Sequence, residues 1–447
     1  MNMKVRRVNQ IIIILAKMAR MVLHFLGRGT AFPGKLALKL NKNILTFFEM
    51  PKTTIFVTGT TGKTSVVGTI YEVYKHSGYK VVSNIKGSNL IDGVTTAIIE
   101  ASKINGKTKV DALVIEVDER YVKEVFKYIT PKYFIINNLS RDQLARNGHF
   151  ELVFNEINKS INEKTHLILN ADDPLVTKFG LDKKNEITYY GLKENKHSTK
   201  KNKIDTLDLA YCPKCHKKLI FDYFNYGNLG YYHCPNHDYD RPNCEFESTL
   251  LKDKFKVEDV TIKLNNDALY NVYNMLACYT VCRVDKVKKE DIVNALNQLS
   301  LKVKRLNEFK IKNNKGVVLL SKNETPLSYN QSLEYIKDKK GSKTVAIGFT
   351  RISGRYDLKD ISWIYDINFE LLNDKSIEKI ILIGPFAYDL GVRLKQANID
   401  PKKFLYCVDY KNSLDYCLSH TKGDLYCVLY FDLNYLYLDQ LKERGLL

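Results

Sequence analysis

The sequence predicts an α/β fold: a phosphate-loop domain on a parallel sheet, then a second, smaller α/β domain. Three observations predict it. From Thr54 to about Val176, strand-like and helix-like runs alternate, the pattern of a parallel sheet covered on both faces. Between the first strand run and the first helix run lies a glycine-and-lysine loop, Thr58-Gly59-Thr60-Thr61-Gly62-Lys63-Thr64-Ser65. After about Val303 the alternation restarts. A chain of 447 residues has room for two or three domains, each with its own core. The expected organisation is a helical segment over residues 1–50, a nucleotide-binding domain over 51–300 and a C-terminal α/β domain over 301–447. A cysteine-bearing insert is expected within the middle domain at about 208–248.

Met1 to Arg7 is basic, and an apolar run, Ile11 to Leu26, follows. Lys17 and Arg20 interrupt that run and no convincing cleavage site appears, so it does not read as a signal peptide. It is also too short and too charged to span a bilayer, which needs ~20 apolar residues. The expectation is an amphipathic helix, packed on the body or lying at a membrane interface. Strand runs then follow at Ile55–Val57, Lys80–Ser83, Ala112–Val117, Tyr133–Asn137 and Leu167–Asn170, with helices between them. Later helices are expected over Ala268–Arg283 and Lys289–Leu299. In the C-terminal domain the strand runs are Val317–Leu320, Thr344–Gly348, Ile380–Ile383, Phe404–Cys407 and Leu425–Tyr430.

Composition narrows the class. Hydrophobic residues make up 45% and charged residues 27%, as in a soluble globular protein. The net charge is 69 − 50 = +19. Such a surface suits nucleic acid, a membrane surface or an anionic substrate, although abundant lysine also follows from overall composition. Five of the nine cysteines (Cys278, Cys282, Cys407, Cys417 and Cys427) sit in apolar runs and read as buried thiols. Nothing suggests a secreted disulfide scaffold, so a cytoplasmic location is expected.

The loop carries the first functional signal. A glycine-rich turn between strand and helix presents backbone N–H groups and a helix N-terminus to a phosphate. Lys63 would reach the terminal phosphates, and the Thr64 hydroxyl would face magnesium. The common phosphate loop has a glycine where this chain has Val57, so this is the shorter G-x-x-G-K-T form. Gly59, Thr60, Thr61, Gly62, Lys63, Thr64 and Ser65 are therefore the expected phosphate-binding residues. The run Val114-Ile115-Glu116-Val117-Asp118-Glu119 ends a buried strand in acids, and Glu116 is the expected magnesium carboxylate. Asn137 to Leu144 follows another apolar strand and faces the same crevice; Ser140 and Gln143 would also suit a helix cap. Asn170-Ala171-Asp172-Asp173-Pro174 follows a further strand. Asn271 and Asn274 share one helical face, and their plainer reading is as satisfied buried amides.

The cysteine cluster is the strongest metal signal. Cys212-Pro213-Lys214-Cys215 and Cys234-Pro235-Asn236-His237 form two knuckles of a zinc ribbon, with tetrahedral ligands Cys212, Cys215, Cys234 and His237. Cys244 is the rival fourth ligand. All four positions are filled by protein, so the zinc would be structural.

These elements, in this order, resemble the Mur ligase family of ATP-dependent amide-bond-forming enzymes. Gly87-Ser88-Asn89-Leu90, Arg141-Asp142-Gln143 and the cysteine cluster place the resemblance in its amidating branch, and it covers nearly the whole chain. The resemblance implies that ATP and magnesium bind at Lys63, Thr64 and Glu116. It implies that Asn271 and Asn274 lie near adenine, and that Arg305 and Lys322 lie on the nucleotide side. Three departures stand out: most members have histidine at Gln143, a carbamylated lysine near Ile157 and an acid at Ala145. The segment Ser353 to Asp366, with the single tryptophan Trp363, would face a separate glutaminase subunit of the GatD type. Asp360 would complete that partner's Cys-His pair by orienting the histidine, with Asp366 and Asp357 as alternatives. None of this chain's own cysteines has the glycine-flanked turn of a glutaminase nucleophile.

The activity implied is ATP-dependent amidation of the D-glutamate α-carboxylate in the lipid II stem peptide, through an acyl phosphate. Lipid II would be met at the inner membrane face, and no nucleic acid is expected. Two rivals remain: another amino-acid-adding ligase, like folylpolyglutamate synthase, and a nucleic-acid-binding zinc-ribbon ATPase. The net charge and Tyr231 and Tyr232 near the ribbon favour the last.

Overall fold

A computed structural model describes residues 3–25, 31–85, 88–141, 149–202, 207–264, 269–299, 306–311, 314–320, 326–350 and 361–447. Two units emerge: residues 1–140, 150–202 and 207–301 form the first, and residues 141–149, 203–206 and 302–447 the second.

The first unit opens with helices α1 (Met3–Phe25) and α2 (Phe32–Leu40). Alternating elements follow: β1 (Thr53–Thr58), α3 (Lys63–His76), β2 (Val81–Ser83), α4 (Ile91–Ala101), β3 (Ala112–Glu116), α5 (Val122–Phe126) and β4 (Tyr133–Ile136). Next come α6 (Phe150–Ser160), β5 (His166–Asn170), α7 (Pro174–Thr177) and β6 (Ile187–Leu192). A hairpin, β7 (Ile220–Tyr226) and β8 (Leu229–His233), precedes β9 (Phe246–Leu250), β10 (Lys254–Val257) and β11 (Val260–Lys263). Helices α8 (Leu269–Val284) and α9 (Lys289–Gln298) end the unit.

Among the described residues, nine strands join one sheet in the order β11-β10-β9-β6-β5-β4-β1-β3-β2. Pairings from β2 through β6 and on to β9 are parallel, and β10 is antiparallel to both its neighbours. Strand alternation builds a core on each face. Phe56, Leu113 and Ile115 join one core, with α4 and α6 residues such as Val94 and Phe154. Ile55, Val57 and Val114 join the other, with α3 and α8 residues such as Val66 and Leu276. The parallel strand order reverses at β1, with β3 on one side and β4 on the other. Loops leaving the carboxyl ends of β1, β3 and β4 therefore surround one crevice.

The five strands expected in this unit are present within a residue or two. Strands β6 to β11 were not expected; β9 to β11 extend the sheet beyond the nucleotide-binding strands, and β7 and β8 form a separate two-stranded sheet. The N-terminal run is a helix docked by one face: Asn9, Ile12, Ile13 and Ala16 are buried. Lys17 Nζ donates to the Ile99 and Ser102 carbonyls at 2.6 and 2.8 Å, closing the carbonyl end of α4. A Cβ at Gly34 would lie 1.9 Å from the Asp92 carbonyl, so only glycine lets α2 approach α4 this closely.

In the second unit, β12 (Leu306–Ile311), β13 (Asn314–Leu320), α10 (Pro326–Lys337), β14 (Lys343–Gly348) and β15 (Ile377–Ile383) come first. Then α11 (Ala387–Gln396), β16 (Phe404–Cys407), α12 (Ser413–His420), β17 (Asp424–Leu429) and α13 (Phe431–Glu443) complete it. The sheet order is β12-β13-β17-β14-β15-β16, parallel except for β12. Strand β12, not expected, is this antiparallel edge. The Trp363 segment is a 3₁₀ turn over Ser362–Asp366. Trp363 is buried, with its ring centroid 4.9 Å from Phe349 and 5.4 Å from Tyr329.

Candidate functional site

The loop between β1 and α3 is fastened from below. Thr60 N donates to the Asn138 carbonyl at 3.0 Å, and Thr61 N to the Asn138 side chain at 2.9 Å. Ser140 N donates to the Thr60 hydroxyl at 2.9 Å. Asn137 Nδ2 bridges the Thr61 carbonyl and Asn274 Oδ1, both at 3.0 Å, while Tyr190 donates to Asn137 Oδ1 at 3.0 Å. These bonds tie together β1, the end of β4, β6 and α8. Gly62 has φ +82°, and a Cβ there would meet Asn274 Oδ1 at 2.4 Å and Asn137 Nδ2 at 2.7 Å. Conformation and space both demand glycine. Gly62 is also the N-cap of α3 and no side chain caps that end. The first-turn N–H groups therefore face the crevice as an anion site.

Lys63 opens α3 and is buried. Its ammonium donates to the Gly59 carbonyl and to Glu119 Oε2, the latter at 2.8 Å. Burial alone would lower the lysine pKa; Glu119, aided by Glu116 and Asp118, outweighs it and raises the pKa. The ammonium is thus held charged at the mouth of the loop. The Thr64 hydroxyl donates to Glu116 Oε2 at 2.7 Å. The other oxygen of Glu116 accepts from Asn89 Nδ2 at 2.9 Å. Asn84 clamps the Glu116 backbone from both sides, donating to its carbonyl at 2.9 Å and accepting from its N–H at 2.8 Å. A hydroxyl and a fixed carboxylate beside a phosphate cradle are hard oxygen ligands, the donor set that magnesium takes.

The expected residues fall into three groups. Gly59 to Ser65, Glu116 and Asn274 come together around the loop. Asn271 lies buried one turn before Asn274 on α8. Arg305, Lys322, Asp357, Asp360, Gln143 and Ala145 lie outside the described residues. Ile157 is fully buried on the core face of α6. Asp366 ends its 3₁₀ turn 3.9 Å from Arg141, a residue of the same unit. Burial pushes the Asp366 carboxyl up, against the pull of Arg141. Glu119, Asn84 and Tyr190 were not expected.

The cysteine region is a second cluster. Of the expected ligands, Cys212, Cys215 and Cys234 come together, their sulfurs within 4.8 Å of one another, while neither His237 nor Cys244 joins that group. Cys215 and Cys234 sulfurs are 3.3 Å apart. Backbone N–H groups of Lys214 and Cys215 point at Cys212 Sγ, and that of Asn236 at Cys234 Sγ, each at 3.4 Å. Such donors favour the thiolate, so three sulfurs and their amides fit a zinc ion. His237 holds Asp240 Oδ2 through Nδ1 at 2.7 Å. Cys244 is half-buried beside Gly191 and Arg241, and burial pushes its thiol up. Tyr232 is fully buried and pairs with the Thr177 hydroxyl at 2.5 Å. Its ring therefore serves packing, not a nucleic-acid surface.

Asp172 and Arg241 lock this region to the sheet. Arg241 Nε donates to Asp172 Oδ1 at 2.8 Å, with both side chains buried. Asp172 Oδ2 accepts from Tyr273 OH at 2.6 Å and from Leu192 N at 2.9 Å.

Comparison with known proteins follows the same division. Residues 57–282 match the family model described as Mur ligase middle domain. Residues 320–432 match the one described as MurT ligase C-terminal. A relative from Staphylococcus aureus (strain COL), the lipid II isoglutaminyl synthase (glutamine-hydrolyzing) subunit MurT, is 34% identical over 86% of this chain and 87% of its own. The chain belongs to the MurT branch of the Mur ligase family. The MurT subunit of Streptococcus pneumoniae (strain ATCC BAA-255 / R6) is 28% identical over 88% of this chain and 87% of its own. Among solved structures, a pseudomurein peptide ligase type C from Methanothermus fervidus has a TM-score of 0.65 at 21% identity, covering 92% of this chain and 83% of its own. A MurF ligase from Thermotoga maritima in complex with ADP has a TM-score of 0.55 at 16% identity, covering 92% and 85%. These two share the fold. Membership of the MurT branch separates this chain from the folylpolyglutamate-type rival.

Proposed function

We propose that this chain is the ligase subunit of a two-subunit enzyme that converts the α-carboxylate of D-glutamate in lipid II to the amide of D-isoglutamine. The observation that carries the reading is the meeting of Lys63, Thr64 and Glu116 at one end of a parallel sheet in a MurT-branch chain. ATP gives its γ-phosphoryl group to a carboxylate oxygen, leaving ADP and an acyl phosphate. Ammonia then attacks the acyl carbon, phosphate departs with that oxygen, and the nitrogen loses a proton. Lys63 and the first-turn N–H groups of α3 hold the phosphates and offset charge on the transferring group. Thr64 and Glu116 would hold magnesium, which would supply positive charge to offset that of the phosphates. Asn271, Arg305 and Lys322 act on the nucleotide side.

A GatD-like glutaminase supplies the ammonia, and Asp360, or else Asp366 or Asp357, orients its histidine. Zinc at Cys212, Cys215 and Cys234 staples the insert as a ribbon. His237 is the fourth ligand, since Asp240 occupies its Nδ1 and leaves Nε2 for the metal. Cys244, spent beside Arg241, is the weaker alternative. The domains run over 1–50, 51–300 and 301–447, and the enzyme works in the cytoplasm, peripheral to the inner membrane face. The test combines the purified chain with a glutaminase-like protein encoded beside it, ATP, glutamine and lipid II. Conversion of the stem-peptide acid to a primary amide, seen by mass, supports the reading. Unchanged lipid II, with salt-sensitive nucleic-acid binding instead, supports the zinc-ribbon ATPase.

A further inference from the structure

Helix α1 presents two unlike faces. Its inner face is committed: Asn9, Ile12, Ile13 and Ala16 are buried, and Asn41 Nδ2 donates to Asn9 Oδ1 at 2.8 Å. Lys17 closes the end of α4, and Arg20 pairs with Glu100. These bonds fix the rotation of the helix about its axis, so the outer face is set. On it Val8, Ile11, Leu15, Met18, Met21 and Val22 are between 44% and 68% exposed. At 100° per residue these six fall on a single stripe about 140° wide. Scattered exposed apolar residues are ordinary; a continuous stripe along one helix is not.

The surroundings say what covers it. Arg6 and Arg7 are exposed at the N-terminal end of the helix, Arg7 within the stripe and Arg6 beside it. Lys103 and Ile104, exposed on the turn after α4, flank it across a cleft of about 580 Å³ lined also by Gln10, Ile14 and Asn105. No Asp or Glu occurs before Glu49. No described helix is long and apolar enough to cross a membrane. An apolar stripe with cationic ends and no acids is complementary to an anionic lipid surface, where apolar side chains enter the acyl boundary and arginines meet phosphates.

We propose that the outer face of α1, with Lys103 and Ile104, docks the protein on an anionic phospholipid bilayer. The helix lies in the interface plane, which brings the first unit to a lipid-tethered substrate. This gives a surface to the peripheral location in the proposed function, but it is tested without turnover, so either can fail alone.

The test is sedimentation of the full chain with vesicles of phosphatidylglycerol and phosphatidylcholine, or of phosphatidylcholine alone. The chain should bind the anionic vesicles, less so as salt rises, and bind the neutral ones weakly. Ile11→Ser with Met18→Ser should weaken anionic binding about tenfold or more, and Arg6→Gln with Arg7→Gln should weaken it and flatten its salt dependence. Thermal unfolding of both variants should match the parent, since each changes exposed positions. Equal vesicle binding by parent and variants would overturn the proposal. So would absence of binding by the parent, or a stable dimer that the Ile11→Ser, Met18→Ser variant breaks, which assigns the face to a second copy.

Discussion

The Thr64 hydroxyl donates to Glu116 Oε2 at 2.7 Å, so the first turn of α3 and the end of β3 meet at one oxygen pair. Asn89 holds the second oxygen of Glu116, and Asn84 holds its backbone. The carboxylate is therefore fixed before any metal arrives. Glu116→Gln keeps the shape and removes the charge. It should raise the magnesium concentration for half-maximal ATP turnover at least about tenfold, as lost first-ligand charge does. Titration of activity against magnesium measures this. An unchanged requirement would move the metal away from Glu116.

Lys63 rests on Glu119 at 2.8 Å. Lys63→Met should lower kcat by about 10²–10³-fold, the size of losing one transition-state donor. The substitution also strands the buried Glu119 carboxylate and should lower the unfolding temperature, so kcat is read well below it. Glu119→Gln removes the resting partner and leaves the ammonium. Its effect should fall on nucleotide affinity and not on kcat, which steady-state kinetics separate. Equal loss of kcat in both variants would make Glu119 part of the chemistry.

The buried pair of Asp172 and Arg241 joins the cysteine insert to the sheet. Arg241→Leu strands a buried carboxylate and should destabilise the first unit by about 3–5 kcal/mol. Adding Asp172→Asn should recover part of that loss, because the orphaned charge is gone. Urea unfolding of the two variants provides the comparison. Additive effects would contradict direct coupling.

Metal analysis of the purified chain should find one zinc. Removing it with a chelator should expose the hairpin to protease at residues around 212–237. Cys212→Ser and Cys234→Ser should abolish retention. His237→Ala should weaken it, and Cys244→Ala should not. Retention lost in Cys244→Ala and kept in His237→Ala would reverse the choice of fourth ligand.

The loop, Glu116 and the cysteine knuckles each carry a local signature in the sequence: spacing, a strand end, a repeated knuckle. The five strands leading to the crevice were legible as apolar runs. Strands β9 to β11 were not. They are four or five residues long, and the alternation of Lys254, Phe255, Lys256 and Val257 is a strand signal too brief to have stood out. Glu119 has no such signature, because an acid after a strand is common; the fold brings Lys63 to it across 56 residues. Tyr190 and Asn137 likewise meet only through the sheet. Trp363 lies in the segment expected to face a glutaminase subunit, and its surroundings were not legible. Its ring fills the core between Phe349 and Tyr329, a role no local pattern reveals.

The central claim is that the stem-peptide carboxylate is activated by phosphorylation at the Lys63 loop. The most direct measurement uses lipid II whose D-glutamate α-carboxylate carries heavy oxygen, with ATP, glutamine and the glutaminase partner. The account predicts one heavy oxygen in each inorganic phosphate released, matched to each amide formed, with both products falling together about 10²–10³-fold in Lys63→Met. Amide formation with unlabelled phosphate would contradict it.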